Sequence, residues 1–288
     1  MPPKISLPGR NSLLARLLRN RSGAVGLVLI VAFVIVGLLG AFDLTPYPPA
    51  ANHVKDRLQA PSALYLMGTD QFGRDVTSRI MQGAANSLRV ALLSVALSGI
   101  VGTALGTISG YVGGRIDNLI MRIMDVFFAL PAILMALVIV SVLGAGINTT
   151  VLAIAIIYIP IFARVSRAPV LSIKEMEFVL ASRSIGVRDA GLLWRHIFPN
   201  TLAPLIVQVS LALSWSLLTE AGLSFLGLGV QPPAASWGVM LSESRALAQN
   251  SPWLMLFPGL AIMLGVLGFN LLGDGLRDIL DPRLRGQR

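Results

Sequence analysis

The sequence predicts an all-α protein that crosses a membrane six times, and three observations support this prediction. Hydrophobic residues make up 55% of the 288 residues and charged residues only 13%, about half the charged share of an average soluble protein. Uncharged stretches of at least 21 residues recur along the chain, and about 20 residues suffice for a membrane-spanning helix. The basic residues are distributed unevenly between these stretches. The composition excludes a soluble enzyme, a coiled coil and a disordered protein.

The uncharged stretches define the spans. Five stretches lack Asp, Glu, Lys and Arg: residues 22–42, 90–114, 126–163, 197–219 and 246–273. The third is too long for one helix at 38 residues, and flexible and cap-forming residues interrupt it at 144–150 (GAGINTT), so it is divided into two spans. The predicted spans are residues 24–42, 90–112, 124–144, 150–168, 201–226 and 253–273.

The basic residues predict the orientation, because Lys and Arg near span ends are retained in the cytoplasm. With the N-terminus inside, 17 of the 23 basic residues lie in cytoplasmic segments and 6 outside. Both termini are therefore expected in the cytoplasm, as segments 1–23 and 274–288. A long extracytoplasmic loop is expected at 43–89, before a core of residues 90–288, and a long cytoplasmic loop at 169–200. The first apolar run is longer than that of a signal peptide and is expected to be a retained span.

Several chemistries are excluded by residue type. The chain has no cysteine, and its two histidines, His53 and His196, stand in no metal-binding pattern. None of the three lysines has the flanking Gly and Ser or Thr of a phosphate-binding P-loop. The net charge of +9 comes from residues between apolar runs, which favours membrane topology over nucleic-acid binding. ATP, if used, must be bound by another chain.

Three glycines form a stripe on the second predicted span. Gly102, Gly106 and Gly110 recur every fourth residue, so they share one helix face that another backbone can approach closely. This pattern favours ordinary packing inside one subunit, and the alternative is an interface with a second membrane subunit.

The long cytoplasmic loop is predicted to form two short helices. Four of its residues share one helical face: Phe178, Ala181, Ser182 and Ile185. Gly186 is expected to end the first helix, Asp189 to cap the second and Pro199 to end it. The pattern alone leaves two interpretations open, a docking element and an amphipathic pair lying on the inner leaflet.

The same loop resembles the EAA loop (E-A-A-x3-G-x9-I-x-L-P) of binding-protein-dependent ABC importer permeases. The resemblance is carried by Ala181, Ser182, Gly186 and Pro199, while Leu180 occupies the position of the motif's glutamate. Other segments narrow the family: GTDQFGRDVTSR (68–79), LSFLGLGVQPP (223–233), SWG (236–238) and GDGLRDILDPRLR (273–285). Together they are similar to the dipeptide, oligopeptide and nickel permease family, and within it to the C type of permease subunit.

The resemblance implies a type I ABC importer permease fold in a bacterial inner membrane. It implies a homologous second permease, two ABC ATPase subunits that bind ATP and Mg²⁺, and an extracytoplasmic solute-binding protein. The family favours peptides as substrates, and leaves dipeptides, oligopeptides, glutathione-like peptides and nickel chelates open. The residues expected to couple the chain to the ATPase are Glu177, Phe178, Ala181, Ser182, Ile185, Gly186, Asp189 and Pro199.

Glu220 stands in an otherwise apolar stretch, where a buried carboxylate marks a partner or a water-lined path. One interpretation places it in the translocation cavity, facing a peptide ammonium group. The favoured one is structural, with a hydrogen bond to a neighbouring helix or a pair with Arg74 or Arg79.

Four charged residues alternate in sign in the predicted extracytoplasmic loop: Asp70, Arg74, Asp75 and Arg79. Pairs four residues apart stabilise a helix locally. The alternative is a contact surface for the solute-binding protein. At the end of the last helix, which Pro282 prevents from continuing, five charged residues are expected to form an anchored tail with salt bridges: Asp274, Arg277, Asp278, Asp281 and Arg283. The alternative is a contact of this tail with the ATPase.

Two other classes compete with the importer permease. An ion-coupled secondary transporter without ATPase partners would commonly show inverted repeats or several ionisable residues within its spans. A membrane-embedded hydrolase would need a recognisable catalytic pair within the spans. The sequence shows neither pattern.

Overall fold

The computed structural model describes residues 13–280, and within this range the chain forms helices and loops with no β-strand. The all-α fold class is confirmed. The helices are α1 Leu13–Arg19, α2 Arg21–Ala41, α3 Val76–Val112, α4 Gly114–Phe128, α5 Ala132–Leu143, α6 Ile147–Ile173, α7 Glu177–Ser184, α8 Asp189–Leu192, α9 Phe198–Phe225, α10 Trp237–Ser244 and α11 Trp253–Leu280. Short 3₁₀ turns occur at Val54–Asp56 and Arg245–Leu247, and a π-helical turn, Leu193–Ile197, joins α8 to α9. The expected tail residues Asp281, Pro282 and Arg283 lie outside the described residues.

Within residues 13–280, five helical stretches are long and apolar enough to span a membrane. They are α2, α3, α6, the continuous stretch Asp189–Phe225 that contains α8 and α9, and α11. The bent pair α4 and α5, whose axes meet at 89°, counts as a sixth when the two helices are taken as one span. The sequence predicted one span at 124–144. The chain bends at the loop containing Pro131, which has no N–H to continue a helix. Charge counting carries no signal for this bend.

The helix that holds the second predicted span begins before that span. This helix, α3, starts at Val76, inside the expected loop 43–89, so the observed loop is shorter and α3 is 37 residues long. Asp75 caps α3, because its carboxylate accepts hydrogen bonds from the Ser78 amide and hydroxyl at 2.8 and 2.7 Å. Counting uncharged runs did not reveal this extension, because a capped helix can continue past buried, paired charges. The membrane span itself, expected at 90–112, stays a prediction.

The long helices pack side by side, which gives the bundle two ends. The N-terminal end, where α2 begins, also holds the end of α3, the segment 174–197 and the end of α11: Lys174 donates to the Gly110 carbonyl at 2.9 Å, and Gly275 lies against Gly23. The opposite end holds the loop 42–75, the α5–α6 turn and the segment 226–252, where Trp253 donates to the Thr69 carbonyl.

The glycine stripe of α3 packs against α6 of the same chain. A Cβ atom on Gly102 would lie 2.5 Å from the carbonyl oxygen of Ile159, and one on Gly106 would overlap the carbonyl of Ala163. At Gly110 the approach is looser, with an added Cβ 3.0 Å from the nearest atoms of Arg167 and Val170. The interpretation as packing inside one subunit is confirmed, and this contact joins α3 and α6 along their length.

Trp237, the first residue of α10, packs this helix against the bundle. The Trp237 ring stacks on Phe33 of α2 with centroids 4.8 Å apart, and its indole N–H donates to the Ile80 carbonyl of α3 at 3.0 Å. Ser236 caps α10 by accepting from the Val239 amide. This packing fixes the position of Glu243, one helical turn and a half further on.

Candidate functional site

The segment 174–199, called the coupling segment below, protrudes at the N-terminal end of the bundle and holds all eight predicted coupling residues. Its base is a small apolar cluster, in which Val179, Leu192 and Ile197 pack on Val170 and Ile173 of α6. The cluster anchors α7 and α8 to the end of a long helix. The opposite surface of the segment is therefore free to present other side chains.

Two of the predicted coupling residues are exposed hydrophobic side chains. Phe178 is 43% exposed and Ile185 is 82% exposed. Ile185 follows the end of α7 and precedes Gly186, which has a φ of +86° and turns the chain toward α8. Glu177, Ala181 and Asp189 are also exposed, and Ser182 is half-buried. The break at Gly186 is as predicted.

Asp189 and Pro199 lie in the coupling segment but do not have the local roles that the sequence suggested. The Asp189 side chain makes no capping hydrogen bond to α8, and its carboxylate instead accepts one from the Tyr111 hydroxyl. Pro199 is the second residue of α9 and does not end α8. Proline is favoured in a first helical turn because its missing N–H has no intrahelical partner there.

Polar contacts fasten the coupling segment to the end of α3. Besides Asp189, the guanidinium of Arg183 reaches the Tyr111 hydroxyl, donating at 3.4 Å. The hydrogen bond to Tyr111 is the largest factor that raises the pKa of the Arg183 guanidinium, which therefore stays charged. Tyr111 therefore touches both α7 and α8, and sequence reasoning missed it because no local pattern pairs it with residues 72 and 78 positions away.

A second polar contact joins α4 to α6 near the same end. Arg167 donates two hydrogen bonds to the carboxylate of Asp117, each 2.6 Å long. This bidentate geometry is the strongest form of ion pair between these side chains. It fixes the start of α4, and with it the near arm of the bent pair.

Glu220 is fully buried in α9, with 0% of its surface exposed. Its carboxylate accepts hydrogen bonds from Ser87 of α3 at 2.8 Å and from Ser224 of α9 at 2.7 Å. The structural interpretation offered a pair with Arg74 or Arg79 as one possibility. Glu220 does not form this pair. The hydrogen bond to a neighbouring helix agrees with the favoured structural interpretation, whose effect on transport remains a prediction.

Three of the four alternating charges, Asp70, Arg74 and Arg79, form a largely buried cluster with Glu243 of α10, whereas Asp75 caps α3. Arg74 and Arg79 each donate to the Glu243 carboxylate at 2.8 Å, and Arg74 also pairs with Asp70 at 2.5 Å. Arg79 is 1% exposed, and Asp70, Arg74 and Asp75 are also buried. Because these groups point into the protein, they do not form the charged contact surface that was the alternative. Sequence reasoning missed Glu243, which lies 164 positions from Arg79.

Comparisons with known proteins identify the family of the chain. The profile of the family described as "Binding-protein-dependent transport system inner membrane component" matches residues 102–286, and that of the "N-terminal TM domain of oligopeptide transport permease C" matches residues 12–61. The chain is 46% identical over 270 residues to a dipeptide transport system permease protein DppC of Alkalihalophilus pseudofirmus, covering 94% of this chain and 88% of that one.

Two further relatives and a solved structure are similar. A glutathione transport system permease protein GsiD of Pectobacterium atrosepticum is 44% identical, covering 91% of this chain and 87% of its own. A di/tripeptide transport system permease protein DppC of Pseudomonas aeruginosa is 43% identical, covering 92% and 90%. The fold matches a chain of the inward-facing MetNI methionine ABC transporter with a TM-score of 0.59 at 18% identity, covering 70% of this chain and 96% of that one.

Proposed function

Because this chain belongs to the family of binding-protein-dependent transport system inner membrane components, as a permease subunit of an ABC importer, we propose that it serves ATP-driven uptake of dipeptides or oligopeptides. The family and the fold contradict the ion-coupled secondary transporter, which is set aside. The peptide assignment is supported by the names of the relatives, which are dipeptide, di/tripeptide and glutathione transport permeases.

The proposed assembly joins this chain to three types of partner. A homologous second permease completes the pathway, two ABC ATPase subunits bind ATP and Mg²⁺, and an extracytoplasmic solute-binding protein delivers the peptide. The N-terminal end of the bundle faces the cytoplasm of a bacterial inner membrane, as supported by the excess of basic residues in the segments at that end. The coupling segment then faces the ATPase subunits.

The single observation that carries the coupling role is the exposed apolar surface of Phe178 and Ile185 on an anchored segment. Exposed apolar residues on a fixed base are typical of a protein interface. The segment continues from α6 and touches α3 through Tyr111, and α3 and α6 are packed together along the glycine stripe. Movement of the ATPase subunits would therefore reach two long helices as one rigid body.

The experiment that tests the proposal starts from the native membrane. The chain is tagged, solubilised in mild detergent and purified, and partners in stoichiometric amounts are identified by mass spectrometry. The expected result is a second permease and ATPase subunits, with ATP-dependent peptide uptake after reconstitution with the binding protein. Recovery of a lone or self-associated chain would overturn the assembly, and an intact complex that takes up no peptide would overturn the substrate class.

A further inference from the structure

A cavity of about 410 Å³ lies beside the bend between α4 and α5, where these helices meet α6 and α9. Its lining residues are Phe127, Phe128, Leu130, Ala132, Met135, Ile157, Tyr158, Pro160, Ile161, Gln208, Leu211 and Trp215. Among these residues none is Asp, Glu, Lys, Arg or His. The cavity wall is therefore uncharged, and most of it is aliphatic or aromatic.

Gln208 is the lining residue that carries a side-chain amide. It shares the cavity-facing side of α9 with Leu211 and Trp215, three and seven residues further on. It is half-buried at the eleventh position of a 28-residue apolar helix. Its side-chain amide makes no hydrogen bond to any group in residues 13–280, although it offers two donors and one acceptor.

The neighbouring polar group in the wall is satisfied by the protein. The Tyr158 hydroxyl lies 3.3 Å from the Thr219 hydroxyl of α9 and forms a hydrogen bond with it. An amide without a partner at membrane depth is costly, whereas one that faces a water-lined path or a ligand is not. Gln208 and the indole N–H of Trp215 are therefore the polar side-chain groups of this wall that have no partner within residues 13–280.

We propose that this cavity is the chain's share of the peptide path, and that Gln208 binds the backbone amide of the passing peptide. This inference rests on the proposed peptide uptake. A peptide unit offers one N–H and one C=O, which a glutamine amide can match with an acceptor and a donor. Because every peptide carries this unit, Gln208 recognises the backbone, while the uncharged wall, including the half-exposed ring of Trp215, accepts side chains of different kinds.

The absence of cysteine in the chain allows a direct test. Gln208→Cys is introduced into the full complex, together with the control Ile206→Cys, which is exposed on the same helix, two residues away and on the opposite face. The probe is the tripeptide Ala-Ala-Cys activated as a pyridyl disulfide, presented with the binding protein and ATP. Attack by the introduced thiolate forms a mixed disulfide and releases pyridine-2-thione, and mass spectrometry of this chain measures the adduct.

Removing the amide with Gln208→Leu should lower peptide uptake by about fivefold, the effect of one lost hydrogen bond. In the labelling experiment the expected result is an adduct on Gln208→Cys well above that on Ile206→Cys, because only position 208 faces the cavity. Excess unreactive Ala-Ala-Ala should suppress it. Trp215→Cys is the second probe on the cavity side and should behave in the same way, which protects the test against one variant that fails to assemble.

Three outcomes would overturn the inference. Equal labelling at both positions, or labelling that Ala-Ala-Ala does not suppress, would assign the cavity to lipid or bulk solvent. Disulfide cross-linking of Gln208→Cys to a cysteine introduced in the second permease, with copper phenanthroline as the oxidant, would assign it to a partner helix. If the same preparation takes up peptide, each of these results contradicts the inference alone. If the assembled wild-type complex takes up no peptide, the proposed function is contradicted instead.

Discussion

The Nη2 nitrogen of Arg79 lies 2.8 Å from the carboxylate of Glu243, although the two residues are 164 positions apart. The same carboxylate oxygen accepts from Arg74 at 2.8 Å. Arg79 is at the start of α3 and Glu243 near the end of α10, so the contact fastens two segments at the opposite end of the bundle. Because the Arg79 side chain is almost completely buried, its charge depends on this carboxylate and on Asp70 for compensation.

Glu243→Gln is expected to destabilise the chain by about 3 kcal/mol, because removing one charge of a buried cluster leaves its partners uncompensated. Thermal unfolding of the purified complex in detergent measures the loss. The matched control is Asp125→Asn, which removes the partner of Arg164 from an exposed pair and should cost less than about 1 kcal/mol. Equal effects of the two changes would show that burial does not decide the strength of the Glu243 contacts.

Glu220→Gln is expected to leave assembly and peptide uptake near the level of the unmodified protein. The amide retains an oxygen that can accept from Ser87 or Ser224, and the other hydroxyl can turn to accept from the new N–H group. Uptake by the reconstituted complex is the measurement. Loss of uptake in a complex that assembles normally would place Glu220 in the substrate path and contradict the structural interpretation.

Gly106→Ala is expected to destabilise the α3–α6 contact by at least about 1–3 kcal/mol, because the added Cβ would overlap the Ala163 carbonyl and the backbones must separate. The control is Gly99→Ala on the same helix, where the nearest atom, of Phe162, lies 3.7 Å from the added Cβ. That change should be neutral or stabilising, since alanine favours the helix. Thermal unfolding of both variants tests the prediction, and a similar loss at both positions would contradict it.

The parts of the fold that the sequence predicted are those set by local properties. Uncharged runs located α2, α6, α9 and α11, because a membrane helix needs about 20 apolar residues wherever it packs. The start of α3 could not be found in this way, since the charge of Arg79 is compensated by a residue far away in the sequence. The bend near Pro131 was equally hidden, because Pro160, Pro204 and Pro258 lie inside helices that continue.

The same distinction applies to the sites. The coupling segment was found from a local motif with Gly186 at its turn, and its position at one end of the bundle follows from the spans. Tyr111 and Gln208 carry no motif of their own. Tyr111 is recognised only from the contact with Asp189, and Gln208 only from the cavity that the bend between α4 and α5 creates.

Tyr111→Phe is expected to loosen the link between the coupling segment and α3, because it removes the hydroxyl that Asp189 and Arg183 share. The bond from Arg183 is long at 3.4 Å, so the loss is mainly that of the bond to Asp189. One such hydrogen bond corresponds to about a fivefold change in an equilibrium. Peptide molecules transported per ATP hydrolysed should therefore fall by up to about fivefold. Tyr47→Phe, which loses a hydroxyl contact at the opposite end, is the control and should leave this ratio unchanged. An unchanged ratio in Tyr111→Phe would exclude this link from coupling.

Ile185→Glu is expected to weaken binding of the ATPase subunits without unfolding the chain. The side chain is 82% exposed, so the charge remains in water when the chain is alone, but it would be buried at the proposed interface. The loss of about 1.4 kcal/mol or more corresponds to at least about tenfold weaker association. Co-purification of the ATPase subunits in detergent measures it. The control, Val54→Glu, adds the same charge at a 64% exposed position at the opposite end and should leave the ATPase subunits bound. Normal co-purification of the ATPase subunits with Ile185→Glu would contradict the proposed interface. If the same change weakened contact of the coupling segment with anionic lipid in a vesicle, the inner-leaflet interpretation would be favoured. A charge on the apolar face of the segment opposes contact with lipid as well as with protein.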